Sequence, residues 1–432
     1  MHAFIVGGAR TPFTRAFGEL VELDTIALGV VAVQGALRRL ELPASAVDAL
    51  VWGGVILPPD SPNIGREIAL DAGLPPTVEA MTVSRACASG LQAIADGVAK
   101  IERGEAEVVI AGGGDSTSNA PLTMPPSLVR KAGPVAMKRG AGPMDWLKLA
   151  TTLSPGRDLV PRKPRVAERS TGELMGEAAE KMAGRNQVSR AEQDAFALRS
   201  QQRAAAAVAA GRFNEELVPV DLPRGGRLTA DTLIRGDTTL ERLSTLKPAF
   251  ARDGTITAGN ATALTDGAAC VVLMSEAAAR RYGQPMLARF RSFAWVGVDP
   301  ADQLLMGPAL AMPLALKRAG LELSEVDRVE LHEAFAAQVL SVQRMLESEA
   351  FGRERLGRDG AVGTIHPERL NVHGGSLALG HPFAATGARI ALTLAHELAQ
   401  GAARTGLIGI CAAGGLGAAA VMERGPGEPT NS

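Results

Sequence analysis

The sequence predicts an α/β protein with a duplicated core and an insertion, and three observations carry that expectation. Apolar stretches of strand length alternate with longer stretches of helical periodicity along the 432 residues. A pattern near residue 90 returns near residue 387, and a proline-rich, basic stretch of different texture lies between them. A chain of this length that is 46 % hydrophobic holds two or three domain-sized units and buries large cores.

Taken in order, residues 3–7 read as a buried strand running into Gly7-Gly8-Ala9-Arg10-Thr11-Pro12. A helix over Asp24–Leu40 and a strand over Ala49–Val55 follow. Met81-Thr82-Val83 then approaches as a strand, and Leu91, Ile94, Val98 and Ile101 set a helix that stops at Gly104. Cys87 therefore falls where a strand turns into the first turn of a helix. Exposed N–H groups and partial positive charge at a helix start favour an anion there. A free thiol is only about 3 % ionised at pH 7, and such a site lowers its pKa. Two readings stay open for Cys87: a small buried hydrophobe, or a nucleophile with room left by Ala86, Ala88, Ser89 and Gly90.

Ala106–Ala111 reads as a central strand ending in Gly112-Gly113-Gly114-Asp115-Ser116. That cluster lacks G-x-G-x-x-G spacing and opens no periodic helix, so close backbone packing is its expected purpose. From about Asn119, eight prolines up to Pro164 punctuate a run that includes Arg130, Lys131, Lys138, Arg139, Lys148, Arg157, Arg162, Lys163, Arg165 and Arg169. It reads as an irregular insertion with one small amphipathic helix, Met144–Leu153. A solvated, charged loop is its first reading; a basic surface for a phosphorylated ligand, an acidic partner or a membrane face is the second.

Ser170–Glu173 and Ser189–Glu192 both have capping-box spacing and predict two helix starts. Ala268–Met274 is a continuous apolar run of strand length, which makes Cys270 inert core. A new α/β unit begins near Ser275. Four of six histidines crowd into residues 332–381, yet Ala336 stands where H-E-x-x-H needs its second histidine, and no cysteine pair has ligand spacing. No metal site is expected. Gly90 and Gly112 stand 22 residues apart, as do Gly387 and Gly409. Each interval spans a helix, a glycine stop (Gly104, Gly401) and a strand. If the halves pack symmetrically, Cys87 meets the loops around His381 and Cys411 at one cleft.

The formal charge of −1 gives no general reason to expect nucleic acid as a partner. Three cysteines distant in sequence suit a reducing compartment. The start carries too short an apolar run for a signal peptide, and no apolar run approaches the ~20 residues of a membrane span. A soluble, cytoplasmic protein is expected.

Four blocks in a fixed order now matter together: Ser84-Arg85-Ala86-Cys87-Ala88-Ser89-Gly90, His332-Glu333-Ala334-Phe335-Ala336, Asn371 through Gly380-His381-Pro382, and Cys411-Ala412-Ala413-Gly414-Gly415-Leu416-Gly417. With Val6–Phe13 at the start, they resemble the signature blocks of the thiolases over essentially the whole chain. The resemblance implies a five-layered α-β-α-β-α core of two similar halves with an inserted loop domain. The expected boundaries are 1–118 (completed by about 257–276), 119–256, and 277–432.

The resemblance also implies roles. Cys87 would be the acylated nucleophile, His381 the base that takes its proton, and Cys411 the second acid/base. One oxyanion would be met by His381 and a water held at His332, the other by the backbone N–H groups of Cys87 and Ala413. Most thiolases carry Asn where this chain has His332, and Gly where it has Ala413. The first change resembles the subgroup working with a hydratase/dehydrogenase α-subunit in fatty-acid β-oxidation; the second uses only an N–H, which Ala supplies if φ is negative. Met175, Phe250, Ala258, Gly259, Thr262 and Phe335 match positions lining the CoA or acyl channel. Leu174, where short-chain members often have His, points to longer acyl chains.

The implied activity is that of a 3-ketoacyl-CoA thiolase, with coenzyme A as substrate and no other cofactor. Its implied partners are CoA thioesters and copies of itself, as a homodimer or dimer of dimers. An α-subunit and a peripheral membrane contact through 119–170 stay open. Rival readings are a ketoacyl synthase, which Cys411 argues against, acetoacetyl-CoA synthesis by the same residues, and a silent lipid-carrier or scaffold subunit.

Overall fold

The computed structural model describes residues 2–162 and 167–427. The chain forms two compact units, Ala120–Val166 and the remainder. In the larger unit, the first half runs β1 (Ala3–Arg10), α1 (Thr25–Arg39), β2 (Ala49–Gly53), α2 (Ile64–Asp71), β3 (Glu79–Val83), α3 (Ser89–Glu102) and β4 (Val108–Ser116). The smaller unit holds α4 (Pro126–Ala136) and α5 (Pro143–Thr152). The chain continues through α6 (Met175–Arg185), α7 (Arg190–Ala209) and a minimal hairpin of Val220–Asp221 with Arg227–Leu228, then closes the first half with β5 (Thr265–Ser275). The second half is β6 (Met286–Gly297), α8 (Gly307–Ala319), β7 (Arg328–Leu331), α9 (Ala336–Glu347), α10 (Ala385–Gln400), β8 (Thr405–Ala412) and β9 (Leu416–Gly427).

The strands lie in the order β7-β8-β9-β6-β1-β5-β4-β2-β3. Outward from the junction, β1-β5-β4-β2 and β6-β9-β8-β7 place matching strands in matching positions. In each half the outer neighbours are parallel and the inner ones antiparallel. The two half-sheets are joined at β1 and β6 by the register pairs Phe4 with Arg289 and Ile5 with Ala288. The expected duplication is therefore a repeat of topology as well as of sequence.

Strand side chains alternate between faces, so each half-sheet feeds two cores. Phe4, Val6, Leu50, Trp52 and Val272 pack under α1 and α2. Ile5, Val51, Val109 and Val271 face the other way, towards α3 and α10. From the second half, Ile408, Ile410 and Ala420 reach that same cluster. Leu331, Leu407 and Val421 pack under α8 and α9, where α6 adds Met182 and α7 adds Phe196. Helices, sheet, helices, sheet, helices: these are the five layers. In the middle layer α3 and α10 cross at their glycines. A Cβ on Gly90 would stand 2.3 Å from Ala384 O, and one on Gly387 would stand 2.4 Å from Leu91 N.

Two local expectations change. Ser170–Glu173 starts no helix, because Ser170 donates its hydroxyl to Glu168 and Gly172 turns to φ +79°. The helix begins instead at Met175, with Glu177 accepting from Leu174 N–H at 2.8 Å. The Ser189–Glu192 box does cap α7. In the small unit α5 covers the expected helix, and α4 is a second one that carries Pro134 inside it. No helix among the described residues is long and apolar enough to cross a membrane.

Candidate active site

Cys87 sits on a short elbow between β3 and α3. Ala86 has φ +46°, a left-handed conformation costing a non-glycine residue about 1–2 kcal/mol. Ser89 locks this turn: its Oγ accepts from Arg85 N–H at 2.7 Å and donates to Ala86 O at 2.6 Å. Cys87 is partly buried. Burial pushes its thiol up to about 12, against hydrogen bonds from the backbone N–H groups of Ala413 and Cys87 itself; the charge of Asp115 adds to the rise. The expected lowering at a helix start is thus overturned, because desolvation of the thiolate outweighs the helix terminus. The sulfur rests as a thiol and needs a base at the moment of attack.

His381 supplies an imidazole in the neutral state. Its Nδ1 lies 2.6 Å from Thr386 Oγ1, and its backbone N–H donates to Thr265 Oγ1 at 3.0 Å. Burial lowers its pKa to about 3, helped by the charge of Arg389. His332 follows β7, its backbone N–H held by Gly409 O at 2.8 Å. The two imidazole centroids are 4.1 Å apart. Burial, then the charge of His381, holds His332 well below the usual histidine range. Both Nε2 atoms are buried with no partner among the described residues.

Cys411 is the last residue but one of β8, two residues beyond Gly409, and is buried. Burial, and secondarily the proximity of Cys87, raises its thiol well above the ordinary value. Ala413 is not among the residues with positive φ, so its N–H is presented without glycine. Cys87, Cys411 and Ala413 thus group around one sulfur, and the His332–His381 pair is tied through Gly409 to the strand that carries Cys411.

The six channel residues divide. Thr262 lies against the site: its Oγ1 donates to Ser376 O at 2.7 Å and its N–H to Ala334 O at 3.1 Å. Phe335 and Phe250 meet edge to face with centroids 6.0 Å apart, and Met175 packs against the same apolar cluster. Gly259 is placed against Leu243 and Leu246, while Ala258 is exposed.

Sequence reasoning passed over four residues that hold this geometry. Asp115, read only as part of a glycine cluster, accepts from the N–H groups of Val55, Ile56 and Ala384; burial raises its carboxyl to about 7. Ser376 lies inside a quoted block, and Thr386 and Arg389 lie just after it. Their signal was proximity to His381 in sequence, within eight residues on either side.

Two equivalent half-folds each contribute one thiol, two neutral imidazoles pair 4.1 Å apart, and backbone N–H groups meet the first sulfur. This arrangement suits an enzyme that transfers acyl groups. Comparison with known proteins makes the class specific. Residues 3–277 match the model of the thiolase N-terminal domain and residues 284–424 that of the C-terminal domain. The chain belongs to the thiolase family. It is 45 % identical to a 3-ketoacyl-CoA thiolase of Escherichia coli O157:H7 over 421 residues, 97 % of this chain and 96 % of that protein. A 3-ketoacyl-CoA thiolase of Citrobacter koseri is 44 % identical over the same shares. Among solved structures, human mitochondrial 3-ketoacyl-CoA thiolase superposes with TM-score 0.81 at 32 % identity. The Bacillus anthracis acetyl-CoA acetyltransferase gives 0.82 at 33 %; each covers 98 % of both chains.

Proposed function

We propose that this acyltransferase is a 3-ketoacyl-CoA thiolase acting in fatty-acid β-oxidation. Cys87 Sγ attacks the 3-keto carbon while His381 Nε2 takes its proton. The N–H groups of Cys87 and Ala413 hold the resulting alkoxide. The C2–C3 bond breaks, leaving the acyl chain on sulfur and its electron pair on the enolate of acetyl-CoA. His381 and a water on His332 hold that oxygen while Cys411 protonates C2. After acetyl-CoA leaves, Cys411 takes the proton of incoming CoA, whose sulfur displaces the acyl group from Cys87, and His381 returns its proton to the departing Cys87 sulfur.

The observation supporting this reading is the pair of imidazoles 4.1 Å apart with both Nε2 atoms unpartnered among the described residues, and Cys87 close enough to Cys411 to raise its thiol. Incubation with a 3-ketoacyl-CoA should leave an acyl adduct on Cys87 by mass spectrometry. An unmodified Cys87 in active enzyme refutes the assignment. The same residues catalyse acetoacetyl-CoA formation in reverse, and the likeness to an acetyl-CoA acetyltransferase favours keeping that direction in the assay.

The proposal extends to CoA as substrate with no other cofactor, a cytoplasmic location, a homodimer or dimer of dimers, and the three-part division 1–118, 119–256 and 277–432. It includes an α-subunit partner, supported by His332 in place of Asn, and a membrane contact through 119–170. The last is supported within the small unit by exposed Met137, Met144, Trp146 and Leu147 among Arg130, Lys131, Lys138 and Lys148. Co-sedimentation with anionic but not neutral vesicles tests it.

A further inference from the structure

His332 has two ring nitrogens, and the fold gives a partner to only one. Its Nδ1 lies 2.9 Å from Ser376 Oγ, in the short helical turn Ser376–Leu379. An Nη2 N–H of Arg389, on α10, donates to the same oxygen at 3.4 Å. Arg389 is 1 % exposed and its Nε and Nη1 have no hydrogen-bond partner among the described residues. The carboxylate of Glu330 stands 3.7 Å away and offsets its charge.

The direction of each proton in this chain follows from counting. A guanidinium has donors and no acceptor, so the Arg389 N–H points at Ser376 Oγ. The hydroxyl has one proton of its own, and among the described residues Nδ1 is its only other side-chain neighbour. Were Nδ1 protonated, the oxygen would receive two donors and its own proton would be buried without an acceptor. The satisfied arrangement has Ser376 donating to a bare Nδ1. In a neutral imidazole the ring proton then sits on Nε2, facing the space shared with His381.

We propose that Arg389 and Ser376 form a positioning relay that fixes His332 as an Nε2–H donor to the water that holds the enolate oxygen. This rests on the role given to His332 above. The need is particular to an imidazole here. An Asn amide always carries N–H groups, whereas the other histidine tautomer would turn a lone pair on that water and take up one of the two protons the water otherwise keeps. Arg389 orients the hydroxyl, and Ser376 passes that orientation to the ring.

The test separates two partial reactions in the full-length enzyme. Enolate formation is read as exchange of the acetyl-CoA methyl hydrogens for deuterium. Acyl transfer is read as exchange of labelled CoA into acyl-CoA. Ser376→Ala should slow deuterium exchange about 10²-fold, the loss typical of one oxyanion donor, and change CoA exchange by less than about 3-fold. In a His332→Asn background the added loss on Ser376→Ala should shrink to within about 3-fold, because no tautomer remains to be set. Equal losses in both backgrounds, or none in either, overturn the relay. Arg389→Lys, which keeps a cationic donor, should lose less deuterium exchange than Arg389→Met; equal effects remove Arg389 from it. His332→Ala must itself slow deuterium exchange. If it does not, the assignment of His332 fails, whatever Ser376 does.

Discussion

His381 Nδ1 lies 2.6 Å from Thr386 Oγ1, five residues further on at the start of α10. This bond ties the orientation of the base to the helix in the middle layer. With Nδ1–H donated to Thr386, Nε2 is left as the lone pair that a proton-accepting role requires.

Thr386→Val keeps the shape of the side chain and removes the oxygen. It should lower kcat by about 10- to 10²-fold with little change in KM, since a freed ring misplaces the reacting nitrogen. Steady-state kinetics on a short 3-ketoacyl-CoA checks this; wild-type kcat would release Thr386 from that role.

Cys411→Ala should still acylate at Cys87 but turn over about 10²–10⁴-fold more slowly, the range for loss of a general acid/base. Single-turnover mass spectrometry shows the adduct, and the steady state shows the block. Normal turnover would remove Cys411 from the proton transfers.

The Cys87 thiol, pushed up to about 12 by burial, ionises later than a free one. In the resting enzyme its alkylation by iodoacetamide should rise about tenfold per pH unit from 7 to 11, without a plateau near 8.5. The sign for stability is the same. The folded thiol keeps its proton where the unfolded one has lost it, so its contribution is complete below about pH 8.5 and fades as pH climbs towards 12. A plateau in alkylation by pH 9 contradicts the burial shift.

Gly387→Ala inserts a methyl 2.4 Å from the Leu91 N atom, where backbone meets backbone. Overpacking of this kind costs about 1–3 kcal/mol or more. Denaturant unfolding should show a lowered midpoint, and activity should fall with it because α3 carries Cys87 at its start and α10 holds Thr386. An unchanged midpoint would mean that the helices part without cost.

Much of this was legible before any coordinates. The apolar spacing of Leu91, Ile94, Val98 and Ile101 specified α3, and the matched intervals after Gly90 and Gly387 gave the duplication. Local signals failed where a neighbour intervened. Glu168 took the Ser170 hydroxyl, and Pro134 disguised α4 as loop. The thiol of Cys87 shifted against expectation because its surroundings come from Asp115 and the Cys411 loop, remote in sequence. Ser376 and Arg389 acquire meaning only through a third residue, His332, and one-dimensional spacing does not display a hydrogen-bond chain.

The crossing of α3 with α10 bears on how the protein is made. The ribosome releases Leu91, Ile94 and Val98 almost 300 residues before Ile390 and Leu394, the side chains that cover them. Strand β4 likewise waits for β5, about 150 residues later, to satisfy its edge. An emerging N-terminal half therefore shows a greasy flank and an unpaired strand for most of translation, the condition under which nascent chains aggregate or engage chaperones. Expression as two separately synthesised halves should give insoluble material, and slower elongation should lengthen the exposure instead of relieving it.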